Sequence, residues 1–124
     1  MPYEVRWTSQ GAIEKFSGVL TWKDIYDADK ILYGDYRFDA IKYLLVDFMQ
    51  VEQTLLDAEH VSMVANLDFA ATIYKRHLRM AIACALPPLL SQSQAYIGQS
   101  KTMGSAWDIR YFNDLPSAEA WAKA

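Results

Sequence analysis

Two aspartates occupy positions at which a carboxylate could do chemistry, and Asp47 is the first. It lies at the carboxyl end of the apolar run 41–48, together with Phe48, and open α/β sheets generally place their ligands at that end of their strands. There a carboxylate can act as a base or orient a ligand. The alternative is a carboxylate that accepts hydrogen bonds from backbone amides of the following loop. We favour the alternative because no partner acid, base or nucleophile is identifiable.

Asp68 is the second candidate, because it interrupts an otherwise apolar helix face. On the helix predicted to begin after Asp57, helical spacing places one stripe of residues on a common side. The stripe consists of Val61, Val64, Ala65, Asp68, Ala71 and Thr72. A buried aspartate needs a partner, and we expect a Lys or Arg of a neighbouring element, since most buried charges are structural. Asp47 and Asp68 would form a carboxylate pair only if the fold brings them together.

The motifs that identify enzymes are missing. The chain has no glycine-rich phosphate loop, nucleophile elbow or dinucleotide fingerprint. His60 and His77 are too far apart to form a zinc pair on one helix face. Cys84 lies in an apolar run with no adjacent cation, so we interpret it as a core residue. We therefore expect a non-enzymatic protein with no metal and no cofactor.

Aromatic residues are unusually frequent, at 14% of the chain. Five of them fall in the first predicted helix and the loop after it: Trp22, Tyr26, Tyr33, Tyr36 and Phe38. One small core does not take so many rings, which indicates an interaction surface, a subunit interface or a ligand cavity. The alternative is that they shield the sheet edge and leave only tyrosine hydroxyls in water.

The basic segment 75–79 could bind phosphate, but cations at the carboxyl end of a helix also complement its dipole.

Charge and composition exclude several classes of protein. The 124 residues carry a formal net charge of −3, which argues against a nucleic-acid partner. The longest apolar stretch, 80–90, contains two prolines and is too short for an integral membrane segment. Residues 1–4 lack the features of a signal peptide, and a single cysteine fits a reducing compartment. We expect one cytoplasmic domain covering 1–124.

Local patterns predict nine elements. Thr21 and Asp24 form a capping-box pattern at the start of the first helix, with Ile25, Ala28 and Leu32 toward the core. Gly18 is expected to end the second strand. The predicted strands cover 3–7, 12–16, 41–48, 78–85 and 107–112; helices follow Thr21, Asp57 and Leu86, the third reaching about Gly98, and a short helix follows Asn113. The order is β-β-α-β-α-β-α-β-α, which predicts an α/β fold with a mixed five-stranded sheet covered by helices.

Several segments also carry a family resemblance: 16–21 (FSGVLT), 33–39 (YGDYRFD), 45–48 (LVDF), 66–68 (NLD) and 107–121. In them the chain resembles the STAS fold of bacterial anti-sigma-factor antagonists and, more closely, the small SpoIIAA-like proteins. That fold is also compared with CRAL-TRIO lipid-exchange domains. The resemblance covers essentially the whole chain and implies a single-domain STAS/SpoIIAA-like fold.

The resemblance also implies a switch residue. In the sigma-factor antagonists a serine at the start of the helix after the central strand is phosphorylated, within a Ser-Ser-Gly-type sequence. The corresponding segment here, 52–59, has no serine and no glycine, and its one hydroxyl is Thr54. Phosphate near Asp57 and Glu59 would meet like charge. We interpret Thr54 as a loop residue or accessory cap.

Two functional hypotheses follow. The first is a regulatory or protein-interaction module resembling STAS domains, with the helix-one aromatics as its surface and a homodimer as one form of partnership. The second is a carrier or sensor of a small apolar or acyl ligand, by analogy with the lipid-exchange domains. The aromatic residues and methionines would line its cavity. Both rest on fold-level analogy.

Overall fold

The chain forms a five-stranded mixed sheet with four helices, as a computed structural model shows for residues 2–124; Met1, where the predicted domain begins, lies outside the described residues. The strands are β1 (Tyr3–Trp7), β2 (Gly11–Leu20), β3 (Tyr43–Thr54), β4 (Arg79–Ala83) and β5 (Asp108–Phe112). The helices are α1 (Trp22–Tyr33), α2 (Ala58–Tyr74), α3 (Pro87–Met103) and α4 (Leu115–Lys123), with a 3₁₀ turn at Tyr36–Ala40. The predicted element order is confirmed, and the 3₁₀ turn is an addition to it.

The strands lie in the order β1-β2-β3-β4-β5. β1 runs antiparallel to β2, and every later neighbour is parallel. This arrangement follows from the connections: a short turn joins β1 to β2, whereas a helix separates each later pair of strands and returns the chain to the same end. The mixed α/β sheet predicted from the sequence is therefore confirmed.

Helices cover both faces of the sheet, and each face has its own core. The larger core lies under α1, α2 and α3 and includes Phe16, Leu44, Val46, Met80 and Ile82. The smaller core lies under α4, where Tyr43, Leu45, Ala81 and Ala83 meet Ala118 and Ala122. Successive β3 residues alternate between the two cores, as the pleat requires. A strand buried on both faces explains why residues 43–48 are almost continuously apolar.

The predicted starts of α1 and α2 are confirmed by their caps. The Thr21 side chain accepts a hydrogen bond from the Asp24 amide at 3.2 Å. The Asp57 carboxylate accepts one from the His60 amide at 2.8 Å, and the Asp57 amide donates to His60 Nδ1 at 3.4 Å. The reciprocal capping box is therefore formed at α2, whereas at α1, where it was predicted, the structure has only the bond to Thr21.

Three predicted ends are wrong, and two of them fall at glycines. β3 continues past Phe48 to Thr54, because β2 pairs with it as far as Leu20, so Asp47 lies within the strand and not at its carboxyl end. β2 continues through Gly18 to Leu20, because Gly18 takes φ +70° at a register irregularity against β3. α3 continues through Gly98 to Met103, because a helical glycine costs only about 1 kcal/mol when packing holds the helix. Gly104, in the left-handed region at φ +85°, ends α3.

Among residues 2–124, no helix combines the length and apolar character needed to cross a membrane.

Candidate functional site

A cavity of about 60 Å³ lies in the larger core, between the sheet and helices α1, α2 and α3. Most of its wall is apolar, including Phe16, Phe48, Val64, Met80, Ile82 and Leu89. Leu56 and Gln92 are its half-buried lining residues, and the other residues of the wall are buried. Solvent therefore approaches the cavity beside Leu56 and Gln92, just beyond the carboxyl end of β3.

Three carboxyl groups stand in this apolar wall. Glu14 comes from β2, Asp29 from α1 and Asp68 from α2, and their exposed fractions are 2%, 3% and 6%. Each occupies a position that local geometry directs inward. Glu14 lies on the same face of β2 as the buried residues Ala12 and Phe16. Asp68 follows Val64 by one turn of α2 and so lies on the same helix face. We call Glu14, Asp29 and Asp68 the acidic cluster.

Asp68 is held by two tyrosine hydroxyls. Tyr33 of α1 donates to its Oδ1 at 2.6 Å, and Tyr96 of α3 donates to its Oδ2 at 2.6 Å. The Tyr96 hydroxyl also lies 3.5 Å from Met80 Sδ. The expected pairing of Asp68 with a Lys or Arg is therefore wrong, because the elements packed around it present hydroxyls and carboxyls.

Asp29 lies beside both other members of the acidic cluster, close enough for their carboxyl groups to shift its pKa. Burial and the two neighbouring carboxyl groups raise the pKa of Asp29 well above its usual value. This shift favours the protonated form of Asp29 and so limits the negative charge that is buried in the cluster.

The other two carboxyl groups differ in how far hydrogen bonds offset burial. Burial raises the pKa of Asp68, but bonds from Asp29, Tyr33 and Tyr96 act in the opposite direction. Burial raises the pKa of Glu14 to about 7, against a bond with Asp29 and with a contribution from the Asp68 charge. Glu14 is therefore the member of the cluster that titrates near neutral pH.

Two carboxyl oxygens of the cluster are incompletely used. Among residues 2–124, no backbone, hydroxyl, amide or basic group donates a hydrogen bond to Glu14 Oε2 or Asp29 Oδ2. Both side chains line the cavity and both are at least nine-tenths buried. A buried acceptor without a donor is costly, and such groups concentrate at functional sites.

Hydrogen bonds connect Thr54, Leu56 and Gln92 on the side of the cavity that solvent approaches. Thr54 Oγ1 donates to Gln92 Oε1 at 3.0 Å and accepts from the Leu56 amide at 3.2 Å. Gln92 Nε2 donates to the Leu56 carbonyl at 2.7 Å. Thr54, the one hydroxyl residue of segment 52–59, thus joins the loop after β3 to α3.

The structure separates the two aspartates singled out from the sequence. Asp68 and Phe48 line the cavity, but Asp47 lies on the other side of β3, with Tyr43 and Leu45. Asp47 Oδ1 accepts a hydrogen bond from the Met49 amide at 2.9 Å, the arrangement that the sequence favoured for it. The sheet stands between the two carboxyl groups, so they form no catalytic pair.

The five aromatic residues around α1 do not form one surface. Tyr33 and Phe38 pack together, with ring centroids 4.9 Å apart, and Phe38 is buried. Trp22 packs against Tyr26 and, from α2, His60. Tyr36 is 87% exposed. Their role as an interaction surface stays a prediction; Tyr36 is exposed, Trp22, Tyr26 and Tyr33 are half-buried, and only Phe38 of the five is buried.

Sequence reasoning missed Glu14, Asp29 and Tyr96, although two of them left a signal. Glu14 falls in strand alternation on the same side as Ala12 and Phe16, where an apolar residue is expected. Asp29 lies one turn after Ile25 and next to Ala28, at the border of the predicted core stripe. Tyr96 had no comparable signal in a helix of mixed composition.

The arrangement suits binding of a polar organic group more than of a metal. Within residues 2–124 no group of three or more His, Cys, Asp or Glu side chains is arranged so as to hold a metal ion. Both oxygens of Asp68 are already occupied by tyrosine hydroxyls. What remains is an apolar cavity with hydrogen-bond acceptors inside it.

Comparison with known proteins identifies the fold. No family model matches the chain, and no curated protein matches it. Among solved structures, the chain is similar to an uncharacterised protein of the DUF3478 family from Shewanella loihica PV-4, which has a SpoIIAA-like fold. The two are 18% identical, the match covers 97% of this chain and 91% of that one, and the TM-score is 0.54. The fold is SpoIIAA-like, as the sequence resemblance implied.

Proposed function

We propose that this protein is a small-molecule binding module, a sensor or carrier, whose ligand enters the cavity between the sheet and helices α1 to α3. The observation that carries the proposal is the acidic cluster inside an apolar cavity, where no backbone, hydroxyl, amide or basic group of residues 2–124 donates to Glu14 Oε2 or Asp29 Oδ2. A ligand with an apolar body and a hydrogen-bond donor complements both parts of the site.

The energetics of the acidic cluster support a ligand. Burying three carboxyl groups costs free energy that hydrophobic residues of similar size would not cost. Asp68 recovers part of it through Tyr33 and Tyr96. Glu14 and Asp29 do not recover theirs fully, and a bound donor would offset the remainder.

This proposal develops the second of the two sequence hypotheses, the carrier or sensor. It also proposes binding without catalysis, because Asp47 lies on the other face of the sheet and forms no carboxylate pair with Asp68. The first hypothesis is a regulatory module that binds a partner protein through the aromatic residues around α1. Fewer of these residues are available for such a surface than expected. Tyr33 and Phe38, two of its five aromatic residues, serve the interior.

The test is native mass spectrometry of gently purified protein, compared with the same sample denatured. We expect a small bound mass that is lost on denaturation. Val64→Met, which extends a side chain into the cavity, should reduce the bound fraction several-fold. Val19→Met is the matched control, because Val19 is 45% exposed and is not part of the cavity wall.

Two results would contradict the proposal. One is equal loading of the Val64→Met and Val19→Met proteins, which would place the bound molecule elsewhere. The other is wild-type protein that carries no bound mass and whose Tm does not respond to 1-butanol or n-butylamine.

A further inference from the structure

We infer that the ligand is an amine, bound as an ammonium ion by the free oxygens of Glu14 and Asp29 with its alkyl part against the apolar wall. This inference rests on the proposed function and names its ligand class. It follows from the chemistry of the groups that face the cavity, taken in turn below.

The charge of the site selects a cation. Its ionisable lining groups are three carboxyls and the Tyr96 phenol, and within residues 2–124 no Lys, Arg or His side chain lines it. A ligand carboxylate or phosphate would meet like charge without a counter-ion in a region from which water is excluded. An acyl ligand of the second sequence hypothesis that carried a free carboxylate would therefore not suit this end of the cavity.

The pattern of free acceptors selects a donor with several hydrogens. Glu14 Oε2 and Asp29 Oδ2 come from different elements, and neither accepts a bond from the protein donors described above. An ammonium group has three N–H donors and no acceptor, so it can satisfy both oxygens at once. An alcohol has a single O–H and brings no charge.

The size of the cavity limits the part of the ligand that it encloses. An engineered apolar cavity of about 150 Å³ binds benzene, whereas this one measures about 60 Å³. It has room for an ammonium group and the first carbons of a chain. The rest of an alkylamine would extend toward Leu56 and Gln92, where the cavity approaches solvent.

The titratable groups that face the site determine how the affinity for an amine changes with pH. They are Glu14 on β2, Asp29 and Tyr33 on α1, Asp68 on α2 and Tyr96 on α3; Cys84, after β4, lies behind Ser93. Burial raises the pKa of both tyrosines well above its usual value, so both stay neutral. Glu14, with a pKa of about 7, gains its charge between pH 6 and pH 8, while an alkylamine remains protonated.

The experiment compares three four-carbon probes, n-butylamine, 1-butanol and butyrate, by calorimetry or by NMR titration at pH 6 and pH 8. We expect n-butylamine to bind about tenfold more tightly at pH 8 than at pH 6, as Glu14 ionises. We expect 1-butanol to bind more weakly and without this rise, and butyrate not to bind.

Two variants locate the effect. Glu14→Gln should remove the pH dependence of n-butylamine binding, and Asp29→Asn gives a second variant at the same end of the cavity. Asp47→Asn is the matched control, since Asp47 is equally buried but lies on the other face of the sheet. It should leave the binding of all three probes unchanged.

The outcomes separate the inference from the proposed function. If 1-butanol binds in the cavity as tightly as n-butylamine at both pH values, the amine inference is overturned and the binding function stands. An unchanged pH response in both Glu14→Gln and Asp29→Asn likewise overturns the inference. If none of the probes binds and the purified protein carries no small molecule, the inference and the proposed function both fail.

Discussion

Asp68 shows how a carboxylate is kept inside an apolar layer without a cation. Each of its oxygens accepts a hydrogen bond from a tyrosine hydroxyl, Oδ1 from Tyr33 and Oδ2 from Tyr96. A hydroxyl beside an ionised group forms a short, strong bond. The tyrosines are therefore structural supports for the cluster, and their removal can be measured.

Replacing Tyr96 by Phe should destabilise the fold. The variant keeps the ring but leaves Asp68 Oδ2 without its tyrosine donor, which we expect to cost about 1–3 kcal/mol in the free energy of unfolding. Urea denaturation measures this directly. Tyr74→Phe is the control, because Tyr74 is 89% exposed, and we expect a change within about 0.5 kcal/mol. Equal effects of the two substitutions would show that the bond to Asp68 adds no stability.

Glu14 links stability to pH. Its pKa in the folded protein is about 7, above the 4.5 of an ordinary Glu, so the folded state holds a proton that the unfolded chain releases. The stabilisation is fully present below about pH 4.5 and is lost as the pH rises through 7. We expect the free energy of unfolding to fall by roughly 3 kcal/mol from this residue between those limits.

Denaturation of Glu14→Gln at pH 5 and pH 8 checks this expectation. The glutamine cannot ionise, so the fall in stability between the two pH values should be smaller in the variant than in the wild type. Asp47→Asn should retain the wild-type fall. The same fall in wild type and Glu14→Gln would place the folded-state pKa of Glu14 near its ordinary value.

At the scale of elements, the start of β2 depends on a close approach between strands. A Cβ atom added at Gly11 would overlap the ring of Tyr43, its neighbour on β3. Tyr43 cannot easily move, because it is buried and its hydroxyl lies 2.8 Å from Thr8 Oγ1. The requirement for glycine is steric here, since Gly11 has no positive φ angle.

Two Gly→Ala substitutions should therefore change stability in opposite directions. Gly11→Ala should destabilise by about 1–3 kcal/mol, the usual cost of overpacking. Gly98→Ala lies in the middle of α3, where the added Cβ meets open space, and it should stabilise by about 1 kcal/mol. Thermal and urea unfolding of both variants give the sign. Destabilisation by Gly98→Ala, or an unchanged Gly11→Ala protein, would contradict this account.

The same scale shows which element boundaries a sequence reveals. The starts of α1 and α2 were predictable, because Thr21 and Asp57 satisfy helix amides within three residues of chain. The continuation of β2 past Gly18 and of α3 past Gly98 was not. In both places the neighbouring strand or helix supplies contacts that outweigh the local preference of glycine.

At the scale of the whole molecule, the two faces of the sheet pack differently. The α4 side packs small residues closely, with Ala81, Ala83, Ala118 and Ala122 in contact. The opposite side encloses the cavity and the acidic cluster. The sheet between the two sides keeps Asp47 apart from the acidic cluster.

The sequence by itself determined the kind, number and order of the elements, and with them the mixed five-stranded sheet. Hydrophobic periodicity and helix caps are local properties, so they can be read without knowing what packs where. Tertiary structure alone decided that Glu14, Asp29 and Asp68 meet, and that Asp47 does not join them. Desolvation and charge interaction depend on distances between side chains in space, and these three residues come from a strand and two separate helices.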